Sequence, residues 1–262
     1  MELLYSVLLF LLLVGAAWGC ILIQPLLRPH HRSPDTADFV RLVVTMMVTF
    51  AAVALGLLIT TAKANFDSVS DDMRGYAVQI IELNRLMRVY GPETDEARQL
   101  LKTYTAAAIA TTWPNETPPP GAIAPPPSPG DALIENTTLG RMLSQIGTLL
   151  AGLRPETPLQ TQIAAAARAH FDVLLQRRWK LIEEAPGRVS APFYGIMALW
   201  MVMVFASFGL VAPRNALVAA LIVLCGLSIA SAEFIVLEMN TPFSGLIQIP
   251  SAPLRAALQH LG

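Results

Sequence analysis

The sequence predicts an all-α membrane protein: four transmembrane helices arranged as two hairpins, with an extramembrane helical bundle and stalk inserted between the second and third spans. Three observations predict it. Charged residues make up 14% of the 262 positions, against about 25% in an average soluble domain, and they avoid four long apolar stretches. A heptad pattern follows directly on the second of those stretches. No segment shows the strict apolar–polar alternation of a half-buried strand.

A hydrocarbon core about 30 Å thick needs about 20 mostly apolar residues at 1.5 Å rise each. Four segments meet that length, giving spans at about 3–27, 40–62, 190–212 and 215–238. The first carries no charge. Its opening, Met-Glu-Leu-Leu, lacks the basic stretch of a secretion signal and its apolar run is too long for one, so it reads as a retained helix. The second is uncharged from Leu42 to Ala62, and the third is interrupted by nothing stronger than Ser190, Tyr194 and Ser207. The fourth passes through Glu233 and ends near Glu238.

A polar loop, 28–38, joins the first two spans, and Ala212-Pro213-Arg214-Asn215 joins the last two. The chain therefore divides into a first hairpin (1–62), an extramembrane region (63–188), a second hairpin (189–240) and an interfacial tail (241–262). Both termini and the inserted region share one side. Arg28, Arg32, Arg41 and Arg214 mark the short turns, while Lys63, Arg177, Arg178, Lys180 and Arg188 mark the opposite ends of the spans. The positive-inside rule returns opposed counts and leaves the orientation open.

Past the second span, Phe66, Met73, Ile80 and Met87 repeat every seven residues, and Val69, Tyr76, Leu83 and Tyr90 repeat with an offset of three. Four heptads of a and d positions predict a helix that runs on out of the membrane as a stalk and packs against other helices. Gly75 weakens the pattern, and Gly91-Pro92 stops it. Asp95 and Glu96 open a further helix with Ala97, Leu100, Leu101, Tyr104 and Ala108 on its apolar face, ending before Pro114. Eight prolines between Trp113 and Gly130 predict an exposed polyproline-like loop, 113–130, and a candidate protein-docking segment. Two more helices follow, at about 132–153 and from Pro158 to about Glu184, completing an antiparallel bundle.

Net charge is −1, so the basic field of a nucleic-acid binder is absent. Cys20 and Cys225 lie inside apolar runs and read as small buried hydrophobes. His30 and His31 are adjacent, with Asp35 alone as a third donor, which is not a metal site. His170 has no acidic or cysteine partner one turn away. No phosphate loop, nucleophile elbow or zinc pair occurs, so no catalytic, cofactor or metal residue is assigned, and the chain does not read as an enzyme. Gly15 with Gly19, and Gly226 with Ala230, are pairs that let helices approach closely. The intramembrane polar candidates are Glu233, Glu238 and Asn240, because a carboxylate at membrane depth faces a bundle interior or a water-filled cavity. Asn84, Arg85 and Arg88 on the stalk are complements such a carboxylate could use.

Residues 234–255 read FIVLEMNTPFSGLIQIPSAPLR, an acidic span end, then a turn containing Pro242, Phe243 and Gly245, then a short Pro-Leu-Arg helix. Together with Leu55-Gly56-Leu57-Leu58, Ala62-Lys63-Ala64-Asn65-Phe66, Leu83-Asn84-Arg85 and Tyr90-Gly91-Pro92, this resembles a bacterial family of bestrophin-like membrane proteins, from the second span onward. Members often carry aspartate where this chain has Asn240. The resemblance implies four spans and a helical extramembrane domain, and raises the expectation of a channel, since bestrophins proper are pentameric anion channels. The aromatic neck and calcium-clasp motifs of bestrophins proper are not found in this sequence. The expectation is a homo-oligomeric, channel-like protein of the bacterial plasma membrane whose surroundings are the lipid bilayer and its own copies. The competing expectation is a non-transporting scaffold or sensor that relays a signal through the stalk.

Overall fold

The computed structural model describes residues 2–26, 33–122, 136–185, 187 and 191–262. Every long element among them is helical: α1 (Glu2–Ile23), α2 (Pro34–Tyr90), α3 (Asp95–Thr112), α4 (Thr137–Ala151), α5 (Pro158–Glu184), α6 (Ala191–Val211), α7 (Ala216–Met239) and α8 (Ala252–His260). Four of these, α1, α2, α6 and α7, are long and apolar enough to cross a membrane. The fold is the predicted all-α one. The loop carrying Arg28, His30, His31 and Arg32, the prolines from Pro125 to Pro129, and Arg188 lie outside the described residues.

Local chemistry sets the helix ends. Pro25 lacks the N–H that would continue α1, and the chain tightens into a 3₁₀ turn over Gln24–Leu26. The Asn215 side chain caps α7 by accepting from the Val218 N–H at 2.8 Å. Thr157 and Gln160 form a reciprocal capping box at the start of α5. Asn136 accepts from the N–H groups of Thr138 and Leu139 and caps α4 at Thr137; positions 132–135 of the predicted helix lie outside the described residues. With no break between Pro34 and Tyr90, α2 runs for 57 residues, so span and stalk share one helix.

The chain divides into two compact units, Met1–Phe66 with Gly187–Ile247, and Asp67–Pro186 with Gln248–Gly262. In the first, α1 lies against α6 and α7. Leu9, Leu13 and Ala17 of α1 pack with Ala51 of α2, Met197, Met201 and Phe205 of α6, and Ile222 of α7. The close approach comes at Gly209, where a Cβ would meet the Ala17 carbonyl and Cys20, and at Gly226, which faces Val14 and Phe10. The predicted pair Gly15 and Gly19 has nothing within 4 Å, because α1 turns its Leu9–Leu13–Ala17 face inward. Cys225 is exposed and Cys20 half-buried, correcting the expectation of two buried thiols. The outside of an apolar helix accepts cysteine as readily as leucine when hydrocarbon is the solvent.

At the far end of the first unit, α1 and α6 satisfy each other's terminal carbonyls. The Gln24 amide donates to the Leu210 carbonyl at 3.1 Å, and Arg214 donates to the Ile21 carbonyl at 2.7 Å. Both acceptors belong to last helical turns, whose carbonyls have no partner within their own helix.

In the second unit, Val69, Met73, Tyr76, Ile80, Leu83, Met87 and Tyr90 are all buried. Tyr90 packs with Ile163 and Ala164 of α5, and the Tyr76 and Tyr104 hydroxyls bond each other. Gly75, the weak point of the heptads, admits the Arg177 guanidinium, which a Cβ there would strike. Arg177 and Lys180 both reach Asp72, Lys180 at 2.7 Å. In α4, Leu139, Leu143, Ile146 and Leu150 form one buried stripe, and Arg168 of α5 donates to the carbonyl of Leu150 at 3.1 Å. Hydrogen bonds at both ends tie down the tail, Asn84 and Lys102 donating to the carbonyls of His260 and Gly262. The Trp113 indole donates to the Ile249 carbonyl at 2.8 Å, Ser251 bonds Glu116, and Arg255 grips Glu116 and the Thr117 carbonyl.

Two outcomes follow. Gly209→Val forces a side chain into the α1 backbone and should cost about 1–3 kcal/mol, seen as a lower midpoint of thermal unfolding in detergent, whereas Gly15→Val should stay within about 0.5 kcal/mol of the parent. The Ser251 hydroxyl, and then Arg255, hold the Glu116 carboxyl below its ordinary range. The stability Glu116 adds is therefore present above the unfolded carboxylate range, about 4.3, and is lost as pH falls through the lower folded value. The stability difference between the parent and Glu116→Gln should shrink on acidification, and an unchanged difference at pH 3 would refute the linkage.

Candidate functional site

Polar groups of the first unit gather in three places. The first is the end of α7. Glu238 is almost fully buried, yet it is hydrogen-bonded: one carboxylate oxygen accepts from the N–H of Leu246 and, at 3.0 Å, from the N–H of Ile247. The turn that brings those donors round passes through Gly245 at φ +95°, and a Cβ there would fall on the Glu238 carboxylate. Glycine is needed both for the left-handed backbone and for the space. Phe243 is buried beneath the same turn. Asn240 caps α7, and its carbonyl and side-chain oxygens lie where a Cβ on Gly187, at φ +72°, would project. Glu238, Asn240, Pro242, Phe243 and Gly245 thus come together in one folded turn.

Glu233 is apart from this turn. Five residues earlier on α7, it points to a different side of the helix and is 2% exposed. Next to it, Leu58 and Ala62 of α2, Tyr194 of α6 and Val236 of α7 form one cluster, with Tyr5 of α1 packed at its edge. Tyr5 and Tyr194 both stand within electrostatic reach of the Glu233 carboxylate. Neither Glu233 Oε1 nor the Tyr194 hydroxyl meets a hydrogen-bond partner among the described residues. Asn65, a turn beyond Ala62 on α2, is also buried with both amide atoms unpartnered among the described residues.

The third place is the outer face of α2, which the sequence reading passed over. Thr45, Thr49, Ala52, Gly56 and Thr60 are all exposed, and at 100° per residue they fall within about 80° of arc. The inner face, Val44, Ala51, Leu58 and Ala62, is buried. A third face carries Met46, Phe50, Val53 and Leu57, each more than half exposed. The stripe is legible in the sequence as the spacing 45, 49, 52, 56, 60. In a run with no charge it is hidden, because hydropathy averages it away. Thr45, Thr49 and Thr60 donate their hydroxyls to carbonyls four residues back, at 2.8–2.9 Å, a pairing that satisfies each donor without a neighbouring helix.

Other expected residues have ordinary partners. Phe66 is half-buried and the remaining stalk positions are fully buried, so the heptad faces are covered within a single chain and are not left open for another subunit. Asn84 receives the Arg98 guanidinium at 3.1 Å and donates to the His260 carbonyl. Arg85 pairs with Glu82 and Arg88 is exposed. None of the three lies in the same unit as Glu233. His170 bonds Gln79 at 2.7 Å.

Comparison with known proteins places this fold. No curated protein shows significant sequence similarity to the chain. A crystal structure of a bacterial bestrophin homolog from Klebsiella pneumoniae superimposes with a TM-score of 0.69 at 15% identity, covering 98% of each chain. A second structure of a Klebsiella pneumoniae homolog gives 0.68 at 16%, over 97% of this chain and 96% of that one. Identities this low establish the fold alone. The sequence itself goes further, since the family model of the bestrophin-like domain matches residues 11–254, and the chain belongs to the bestrophin-like family of membrane proteins.

Proposed function

We propose that this chain assembles with further copies of itself around a conduit across the bilayer, forming an ion channel of the bacterial plasma membrane. The observation that supports this reading is the exposed stripe Thr45–Thr49–Ala52–Gly56–Thr60 on α2. The neighbouring face has bulky apolar side chains suited to lipid in Met46, Phe50, Val53 and Leu57, whereas small residues suit close approach by another helix. The stripe has hydroxyls, a methyl and a bare glycine, which leave room for water and present oxygen lone pairs to it. One α2 encloses nothing, so the stripe needs copies of itself around a closed axis. The fold shared with bacterial bestrophin homologs agrees with such an assembly.

In this reading residues 1–62 and 189–240 form the membrane hairpins, while 63–188 and the tail 241–262 stand outside the hydrocarbon. Glu238, Asn240, Pro242, Phe243 and Gly245 shape the chain where it leaves the bilayer and do not line the conduit. The stalk positions stiffen each subunit's own helical domain.

The test is assembly mass in nanodiscs combined with ion flux from vesicles. The parent should form a closed ring of about four to six subunits. Gly56→Phe should leave that mass unchanged and reduce flux by roughly tenfold or more, while Leu57→Phe on the adjacent face should leave flux near the parent value. A monomer would sink the proposal. An intact ring with no flux would favour a scaffold that transports nothing.

A further inference from the structure

Glu233 is a carboxylate that the fold has buried, at 2% exposure, with no hydrogen-bond partner for its Oε1 among the described residues. The cluster around Val236, one turn along α7 from it, draws on three other membrane helices. Tyr5 comes from α1, Tyr194 from α6, and Leu58 and Ala62 from α2. Tyr5 and Tyr194 are titratable groups within electrostatic reach of Glu233, and its Oε1 meets no hydrogen-bond partner among the described residues. An ionised carboxylate with an unbonded oxygen in such surroundings loses its hydration and receives nothing equivalent in return. Burial at 2% exposure leaves two ways to make the arrangement stable: a bound cation or a proton.

Oxygen supply decides between them. A small metal cation takes about six oxygen ligands. Side chains here offer the two carboxylate oxygens, two phenol oxygens and, a turn beyond Ala62, the Asn65 amide oxygen, which is short of six, and the main-chain carbonyls at this depth are engaged within their helices. A proton needs one oxygen, and it leaves a neutral carboxyl in surroundings that hold Tyr5 and Tyr194 within electrostatic reach.

We infer that Glu233, enclosed by Tyr194 and Tyr5, is a proton-binding site inside each subunit. Loss of the proton breaks the carboxyl O–H bond, leaves the electron pair on the carboxylate and passes the proton to water, which must then enter the α1, α2, α6 and α7 cluster to solvate the charge. Leu58 and Ala62, which close that cluster, lie on the inner side of α2, and Gly56 and Thr60 lie on its outer side. Water admitted behind Leu58 therefore moves the wall that carries the stripe, so proton occupancy sets the conductance. This last step rests on the channel reading above, whereas the proton site itself does not.

Infrared difference spectroscopy on the full chain in lipid nanodiscs reads the site directly. The parent should show the C=O stretch of a protonated carboxyl at neutral pH, fading as pH rises. Glu233→Gln should remove that band, and Tyr194→Phe should shift it. A spectrum unchanged by Glu233→Gln would overturn the site. If Glu233→Gln does not assemble, the Tyr194→Phe spectrum decides, and no shift there would equally count against it. In vesicles, parent flux should change over the pH range in which the band fades, and Glu233→Gln should be flat. A titrating band with no flux at any pH would keep the proton site and defeat the channel reading. A Glu233→Gln flux profile that still follows the parent would refute the coupling.

Discussion

Hydrocarbon offers no hydrogen bonds, and much of the first unit follows from that. A peptide group in the bilayer must find its partner inside the protein, so the spans are helices, and even helix ends and side-chain hydroxyls are settled internally. The hydroxyls of Thr45, Thr49 and Thr60 return to their own backbone. Gln24 and Arg214 serve the terminal carbonyls of α6 and α1. Glu238 sits at the end of α7, where the chain folds back and presents two N–H groups to it. Against this economy Glu233 stands out, because its surroundings are apolar side chains and two phenols.

In the second unit water is the solvent, and the organisation changes accordingly. Buried stripes at heptad spacing are joined by polar contacts such as Asp72 with Lys180 and Glu116 with Arg255. Burial pushes the Tyr104 phenol up, so it remains a neutral hydrogen-bonding group beside Tyr76. Helix α2 belongs to both settings. The same 3.6-residue period carries alanine and leucine on its inner side between Val44 and Ala62, and aromatic and aliphatic heptads from Val69 to Tyr90. Both lengths are buried on one side, and neither gives a reason for the helix to break.

The candidate site was partly legible. Glu233 and Glu238 can be picked out from sequence because a carboxylate in or beside an apolar run is conspicuous. Their different roles cannot, since the donors for Glu238 lie eight and nine residues further along a turn whose path depends on Gly245. The heptads correctly mark a packed helix face, but a repeat of seven says nothing about whether the packing partner is the same chain, and here Tyr90 meets α5 and Tyr76 meets α3. Gly75 reads as a defect in that repeat and is a space for Arg177. The α2 stripe was written in the spacing of its threonines and glycine. Recognising it required knowing which side of the helix the rest of the protein covers.

By itself, the sequence determined the class of solvent around each segment, the four spans, the helical insert, the continuity of α2 and the family resemblance in the tail. These rest on composition and local period, which act over one helix at a time. Tertiary structure decided which residues of those helices meet. It set Gly209 against Ala17 and left Gly15 open, placed Cys225 outside, covered the heptad faces within one chain and buried Glu233. Those outcomes depend on the rotation of each helix about its own axis. That rotation is fixed by the joint packing of side chains from distant parts of the chain, and no local pattern in the sequence encodes it.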